Sequence, residues 1–389
     1  MKKKISVLTA TRAEYGLLRP IISKLNKIDD FDIKIVVTGA HLSPEFGLTY
    51  KEIEKDGFNI DKKIEILLSS DTPSSISKSM GIAMISFAEY FGSINPDLLM
   101  VLGDRYETLA VAIVAMNQRI PIAHLYGGET TEGAIDESIR HAITKLSYLH
   151  FTSTDEYRKR VIQLGEHPNR VYNVGAIGIE NILNEKLLSK EKLGIELGFS
   201  LEEPYAIVTF HPVTLENNSS KKQIESLLEV CKSYKDINFI FTKANADAEG
   251  RIINHLIDES TKENDNIIAF TSLGVTNYLS GLKYCSMVIG NSSSGLVEAP
   301  SFGIPTINIG DRQKGRLQAS SIINCEPTKD DISKAIDLAM SEQFVKKAKK
   351  TANPYGGGDT SDKVIKVVKE YIYGDKINLK KKFYDCVVK

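Results

Sequence analysis

LLMVLGDRYETLAVAIVAMNQRIPIAHLYGGE, residues 98–129, decides the fold. It opens on LLMVL, a short run with no polar position, and closes on PIAHLY followed by two glycines. Between them ETLAVAIVAMNQ reads as a helix, apolar almost all round over Ala110–Ala115. A strand apolar on both faces, followed by a helix that buries most of its circumference, is the pattern of a parallel sheet covered by helices. The same rhythm extends outward in both directions. Upstream lie KISVLTA and IKIVVTG, downstream LHFTST and RVYNVG, with GLLRPIISKLNK, ESIRHAITKLS and DEYRKRVIQLG as intervening helices. After a polar, aromatic-poor stretch near Asn184–Glu203, read as a link, a second series begins: YAIVTFHP, INFIFTKAN, IIAFTS, SMVIGNSS and PTINIG. A chain of 389 residues exceeds one ordinary core. The expectation is an α/β protein of two Rossmann-like domains facing across a cleft, over residues 1–183 and 184–358. Residues 359–389 form a last helix and a basic tail, NLKKKFYDCVVK, read as a solvated or subunit-contacting extension.

Composition narrows the partners. With 49 basic against 50 acidic residues, the net charge of -1 gives no general attraction to nucleic acid or anionic membranes. The cysteines Cys231, Cys285, Cys325 and Cys386 show neither a CxxC pair nor metal-ligand spacing, so disulfides and a zinc site are not expected. The opening MKKKISVLTATR is interrupted by Arg12 too early for a signal peptide, and no apolar run approaches the roughly 20 residues of a membrane span. A cytoplasmic protein without a metal or cofactor is the expectation.

In open parallel sheets ligands bind beyond the carboxyl ends of the strands. The distinctive residues fall there repeatedly: Thr11 and Arg12, Gly39 and His41, Gly103 to Arg105, Gly127 to Glu129, His211 and Pro212, Asn245, and Asn291 to Ser293. TRAEYG lacks the GxGxxG of dinucleotide binders, which argues against a nicotinamide enzyme, while Arg12 offers a guanidinium matched to phosphate. In GNSSSGLVEAPSFGIP the Gly290–Ser turn opens a helix whose free N–H groups suit a phosphate. Glu298, about two turns on, is placed to accept bonds from a ribose diol, and Arg312 adds fixed positive charge for a diphosphate. The plainer alternative is a Ser-rich helix cap with a surface glutamate. Asp104 and Arg105 read as a pair at a sheet edge, or as a cap with a neighbouring ion pair. Glu129 is the first side chain beyond the double glycine, and Asp136 starts a helix with Arg140 one turn on. His124 and His141 read as packed side chains rather than ligands.

Taken together, TRAEYG, VTGAHL, GDRYE, GGE…IDESIRHAITKLS, FHPVT, GNSSSG and NIGDRQKGR resemble the hydrolysing UDP-N-acetylglucosamine 2-epimerases of sialic acid biosynthesis, from about residue 3 to about 375. The resemblance implies a glycosyltransferase-B type fold and conversion of UDP-N-acetylglucosamine and water to N-acetylmannosamine and UDP. Carried across, it gives nucleotide or substrate contacts to Arg12, Gly16, Arg105, His211, Asn245, Ser292, Ser293, Glu298 and Arg312. Catalysis falls to Asp104 and Asp136, with His211 close to the phosphates, and Glu129 is the candidate for the remaining carboxylate role. Several relatives carry an acid where this chain has Tyr126, and TTEGAID is one residue longer here. Both changes sit beside the sugar. Relatives in legionaminic-type pathways take a UDP- or GDP-linked 2,4-diacetamido-2,4,6-trideoxy sugar, which stands as the alternative substrate. A non-hydrolysing epimerase and a glycosyltransferase of the same fold are the other readings. ETLAVAIVAMNQ and MISFAEYF are candidate faces for a homo-oligomer, a dimer or tetramer.

Overall fold

The apolar runs become two parallel sheets in a computed structural model that describes residues 2–216, 219–244, 247 and 249–386. The first sheet holds β1 (Lys3–Thr9), β2 (Phe31–Thr38), β3 (Ile60–Ile64), β4 (Leu98–Leu102), β5 (Ile122–Leu125), β6 (Leu149–Thr152) and β7 (Val171–Asn173). Its order is β3-β2-β1-β4-β5-β6-β7. The second holds β8 (Tyr205–Thr209), β9 (Asn238–Thr242), β10 (Ile267–Phe270), β11 (Met287–Gly290), β12 (Thr306–Ile309) and β13 (Ile322–Cys325), in the order β10-β9-β8-β11-β12-β13. Both sheets wind alike: the chain starts in the middle, runs to one edge, then returns and runs to the other. The reversal falls between β1 and β4 in one sheet and between β8 and β11 in the other. Connections leave in opposite directions there, which opens a crevice past the strand ends.

Alternate residues of β4 explain why LLMVL has no polar member. Leu98, Met100 and Leu102 face a core shared with Leu18 and Ile22 of the helix Arg12–Leu25 and Val364 and Val368 of the helix Thr360–Tyr373. Leu99 and Val101 face the other side, against Phe87 and Phe91 of the helix Pro73–Ile94 and Val111 and Ala115 of the helix Tyr106–Asn117. Each such side chain stabilises the fold by about 1.5–3 kcal/mol through burial. In the second sheet Phe239 and Phe241 face one core, and Ile240 faces the other.

Two strands escaped the sequence reading, β3 (IDKKI) and β13 (IINC). Both are edge strands with exposed positions, so burial imposes no clean apolar pattern on them.

The contacts group the chain into two units, which do not follow the expected consecutive boundaries. One comprises Met1–Glu129, Asp136–Asn181 and Tyr355–Lys389; the other comprises Thr130–Ile135 and Ile182–Pro354. The stretch expected as a link contains the helix Lys190–Leu197, whose Leu193 and Leu197 pack with Leu201 and Tyr205 of the second unit. The basic tail is mostly exposed, as expected, and Lys381 ties it to the first unit. Lys381 Nζ donates to the carbonyls of Lys145 and Ser147, each at 2.7 Å, and to Glu166 at 2.9 Å. The Phe383 ring lies where a side chain at Gly165 would stand. The apolar side chains of MISFAEYF and ETLAVAIVAMNQ are largely used within the chain's own core, although Ile85 and Met116 remain exposed. No helix among the described residues is long and apolar enough to cross a membrane.

Candidate functional site

In the first unit the switch-point strands β1 and β4 deliver the first candidates. Thr11 caps the helix that begins at Arg12 in a capping box: its hydroxyl accepts from Glu14 N at 3.3 Å. Glu14 Oε2 in return accepts from Ala10 N at 2.7 Å and Thr11 N at 3.3 Å. This reciprocal cap fixes where Arg12 leaves the turn, half-buried. Gly16 lies one turn further, buried, its carbonyl accepting from Asn181 Nδ2 at 2.8 Å. His41, grouped with the cleft residues on sequence grounds, serves the fold. It is fully buried, bonded to Thr9 Oγ1 at 2.9 Å and Thr49 Oγ1 at 2.8 Å, and burial pushes its pKa down to about 3. It is therefore a neutral tie between strand ends.

Arg105 Nε donates to Glu107 Oε1 at 2.8 Å, whereas Asp104 accepts from Arg140 Nη2. Arg140 is the hub. It is 1% exposed, and its Nη1 donates to the Glu129 carbonyl and to Glu137 Oε2, both at 2.9 Å. The planar fork thus fixes Asp104, Glu137 and the backbone of Glu129 at once. Glu129 itself is 3% exposed, with Oε1 held by the Ser153 hydroxyl at 2.7 Å. Asp136 opens the helix Asp136–Leu146 that carries Arg140. Asp104 and Glu129 are therefore gathered by one guanidinium, and Asp136 stands at the start of its helix. Glu137 and Ser153 were not singled out in the sequence. Ser153 follows β6 just as the other candidates follow their strands, and that position was the available signal.

The nearby histidines stay neutral or peripheral. His124 Nε2 is bonded to the Gly103 carbonyl at 2.7 Å, and burial lowers its pKa to about 3. His141 Nε2 pairs with Glu137 at 3.1 Å. Tyr126 adopts φ +68°, and its hydroxyl accepts from Ile177 N at 2.9 Å at the start of the helix Ile177–Asn184. The Tyr126 hydroxyl is thus tied to a helix terminus.

Glu14 and Glu107 form a further carboxyl pair unanticipated in the sequence. Glu14 Oε1 and Glu107 Oε2 are both buried without a partner among the described residues. Burial first, and the charge of Glu107 second, raise the Glu14 pKa from 4.5 to about 8. Among the described residues no group of three or more His, Cys, Asp and Glu side chains is placed to hold a metal ion.

In the second unit the switch-point strands β8 and β11 deliver His211 and the GNSSSG turn. Gly290 has φ +132°, and a Cβ there would stand 1.9 Å from the Thr209 carbonyl oxygen, so only glycine fits. Ser292 caps the helix Ser293–Val297, shorter than the sequence suggests because Pro300 follows in a 3-10 turn. Glu298 ends that helix rather than lying two turns along it, and one of its oxygens accepts from the Ser294 hydroxyl. Tyr278 Oη joins the same hydroxyl at 2.6 Å. Burial raises the Glu298 pKa. Arg312 Nη1 donates to the Asn291 carbonyl at 3.1 Å, beside Gln313 Nε2 at 2.9 Å. Asn245 lies outside the described residues.

The family model described as UDP-N-acetylglucosamine 2-epimerase matches residues 23–369. A GDP/UDP-N,N'-diacetylbacillosamine 2-epimerase (hydrolyzing) of Campylobacter jejuni is 45% identical over 99% of both chains. The polysialic acid biosynthesis protein P7 of Escherichia coli is 40% identical over 98% of this chain and 97% of its own. Among solved structures, a UDP-GlcNAc 2-epimerase of Neisseria meningitidis bound to UDP-GlcNAc aligns with a TM-score of 0.79 at 18% identity, covering 94% of this chain and 100% of that one.

Proposed function

The chain belongs to the UDP-N-acetylglucosamine 2-epimerase family, and from that premise we propose a hydrolysing 2-epimerase that takes a nucleotide-linked 2,4-diacetamido-2,4,6-trideoxy sugar. The observation that carries the substrate is the 45% identity, end to end, with an enzyme named for diacetylbacillosamine. It favours the alternative of the sequence reading over UDP-N-acetylglucosamine. The latter stays as the second reading, because the 40% identical polysialic acid protein belongs to a pathway of the other kind.

The chemistry sets what the assigned residues must do. The hydrogen on C2 has no neighbouring carbonyl to acidify it, so a base alone fails. Breaking the C1–O bond sends its electron pair to the nucleoside diphosphate and gives the ring positive character. A carboxylate then accepts the C2 proton, leaving a glycal with a C1–C2 double bond. Water adds its oxygen to C1, and a proton returns to C2 from the opposite face. The sum is substrate plus water giving the C2-inverted free sugar and the nucleoside diphosphate.

Asp104, Glu129 and Asp136 are our assignment for the proton transfers, each worth roughly 10²–10⁴-fold. Arg140 orients Asp104 through a charge-assisted bond. His211, Ser292, Ser293 and Arg312 are assigned to the departing diphosphate, and Arg12 and Arg105 to substrate binding. Stabilising the charge that develops on a leaving group usually accelerates such reactions more than any other single effect. Glu298 is assigned to a ribose hydroxyl. Its bond to Ser294 leaves the second oxygen for that role.

The test is proton NMR in heavy water with the UDP-linked diacetamido sugar and UDP-N-acetylglucosamine in parallel. Free C2-inverted diacetamido sugar carrying deuterium at C2, with free UDP, is the expected outcome. Turnover of UDP-N-acetylglucosamine alone would overturn the substrate in favour of the second reading. An epimer still bonded to UDP would overturn hydrolysis.

A further inference from the structure

Asn291 occupies the point where the second sheet stops and its site begins. The ladder between β8 and β11 ends on the Gly290–Thr209 rung, followed by one more bond, Asn291 N to the Thr209 carbonyl at 3.1 Å. At Gly290 the backbone turns through φ +132°, which takes the main chain away from β8. The next rung is made by a side chain instead. Asn291 Oδ1 accepts from His211 N at 2.7 Å, and Asn291 Nδ2 donates to the His211 carbonyl at 2.8 Å. A carboxamide carries the same donor and acceptor as a peptide bond, so it pairs with a backbone residue in both senses. Asn291 is fully buried, and neither bond can be replaced by water without opening the turn.

We propose that Asn291 is a positioning residue, which acts on the reaction through His211 by holding the backbone from which the imidazole projects. The inference rests on the reading of His211 as a group serving the departing diphosphate. The Asn291 carbonyl accepts from Arg312 Nη1 and Gln313 Nε2, so Asn291 also stands between β8 and the loop after β12. Those two bonds go to the main chain and survive a side-chain replacement. Substitution of the carboxamide therefore isolates the His211 rung. Aspartate keeps the acceptor and loses the donor; serine is too short to make both bonds; glutamine is one methylene too long.

The experiment is titration calorimetry of the full chain with UDP and with GDP, on Asn291→Ser, Asn291→Asp, His211→Ala and the double variant Asn291→Ser/His211→Ala. Asn291→Ser is expected to raise Kd about 10-fold or more with unchanged stoichiometry. Asn291→Asp is expected to do the same, and kcat/KM for both to fall at least as far. In the His211→Ala background the Asn291→Ser change should cost no more than about twofold, because residues acting as one unit are not additive. A merely structural role would lower the stoichiometry and leave Kd and kcat per binding site unchanged, which overturns the proposal. So would losses that multiply in the double variant. Wild-type protein that binds neither nucleotide would overturn the functional reading itself.

Discussion

Replacing Glu14 by Gln should make the protein more stable at pH 8 than at pH 5, relative to the parent. The carboxyl is 6% exposed, with Oε2 engaged by two backbone N–H groups and Oε1 buried without a partner among the described residues. A glutamine of the same shape keeps the acceptor and brings an N–H₂ toward the neighbouring Glu107, whose Oε2 is likewise unpartnered. Burial, then Glu107, raises the Glu14 pKa from 4.5 to about 8 in the folded protein. Between those values the native state keeps a proton that the unfolded chain has released, so unfolding becomes easier as pH rises through the window. Below it both states are protonated and the parent loses nothing. Above it both are ionised and the parent bears the whole burial cost. At 1.36 kcal/mol per pKa unit this is at most about 5 kcal/mol. Glutamine cannot ionise and avoids it. Thermal midpoints at pH 5 and pH 8.5 read the difference, at roughly 2–4 °C per kcal/mol for a unit of this size. The reasoning is refuted if the glutamine variant has no larger advantage at pH 8.5 than at pH 5.

Arg140→Lys keeps the charge and loses the fork, so Asp104, Glu137 and the Glu129 carbonyl cannot all be held. Turnover should drop by about 100-fold or more while UDP affinity changes little, as read by NMR rates beside calorimetry. Gly290→Ala places a methyl group 1.9 Å from the Thr209 carbonyl oxygen, and soluble protein with unaltered UDP binding would contradict that geometry. Lys381→Met removes three hydrogen bonds from the tail to Lys145, Ser147 and Glu166. It should lower stability by about 1–3 kcal/mol; a midpoint unchanged within a degree would show the tail to be held by other means.

What was legible follows from how strongly burial dictates sequence. The central strands announced themselves because both faces of LLMVL and YAIVT meet helices, which leaves no position for a polar residue. The candidate residues at strand ends were legible by position alone, since a parallel sheet fixes where loops gather. The edge strands IDKKI and IINC lack that constraint and were missed, while the edge strands within RVYNVG and IIAFTS were read. Pairings across sequence were invisible: Arg140 reads as the partner of Asp136 on its own helix, yet it bonds Asp104, 36 residues away. His41 and Glu14 illustrate the same limit. Both sit among candidate residues, and only the structure shows one as a neutral tie and the other as a buried cap. The tail is largely solvated, as read, but its anchoring through Lys381 was invisible until the carbonyl and carboxylate partners were known.

The short segment Thr130–Ile135 bears on how this protein can be divided. It is flanked by Glu129 and Asp136 of the first unit and belongs by its contacts to the second. Glu132 N donates to the Lys314 carbonyl at 3.2 Å, Ile135 N to Thr214 Oγ1 at 3.0 Å, and Arg316 Nε to the Thr130 carbonyl at 3.1 Å. Gly133 lies so close to Asp311 that a Cβ would stand 2.7 Å from its carbonyl. A gene fragment spanning 182–354 would therefore encode a body missing one of its own pieces, with the partners of these bonds left to solvent. Excision, fusion or exchange of these units between relatives has to carry six residues from a distant part of the chain. The two units are interleaved along the chain, so neither can be lifted out as one continuous segment.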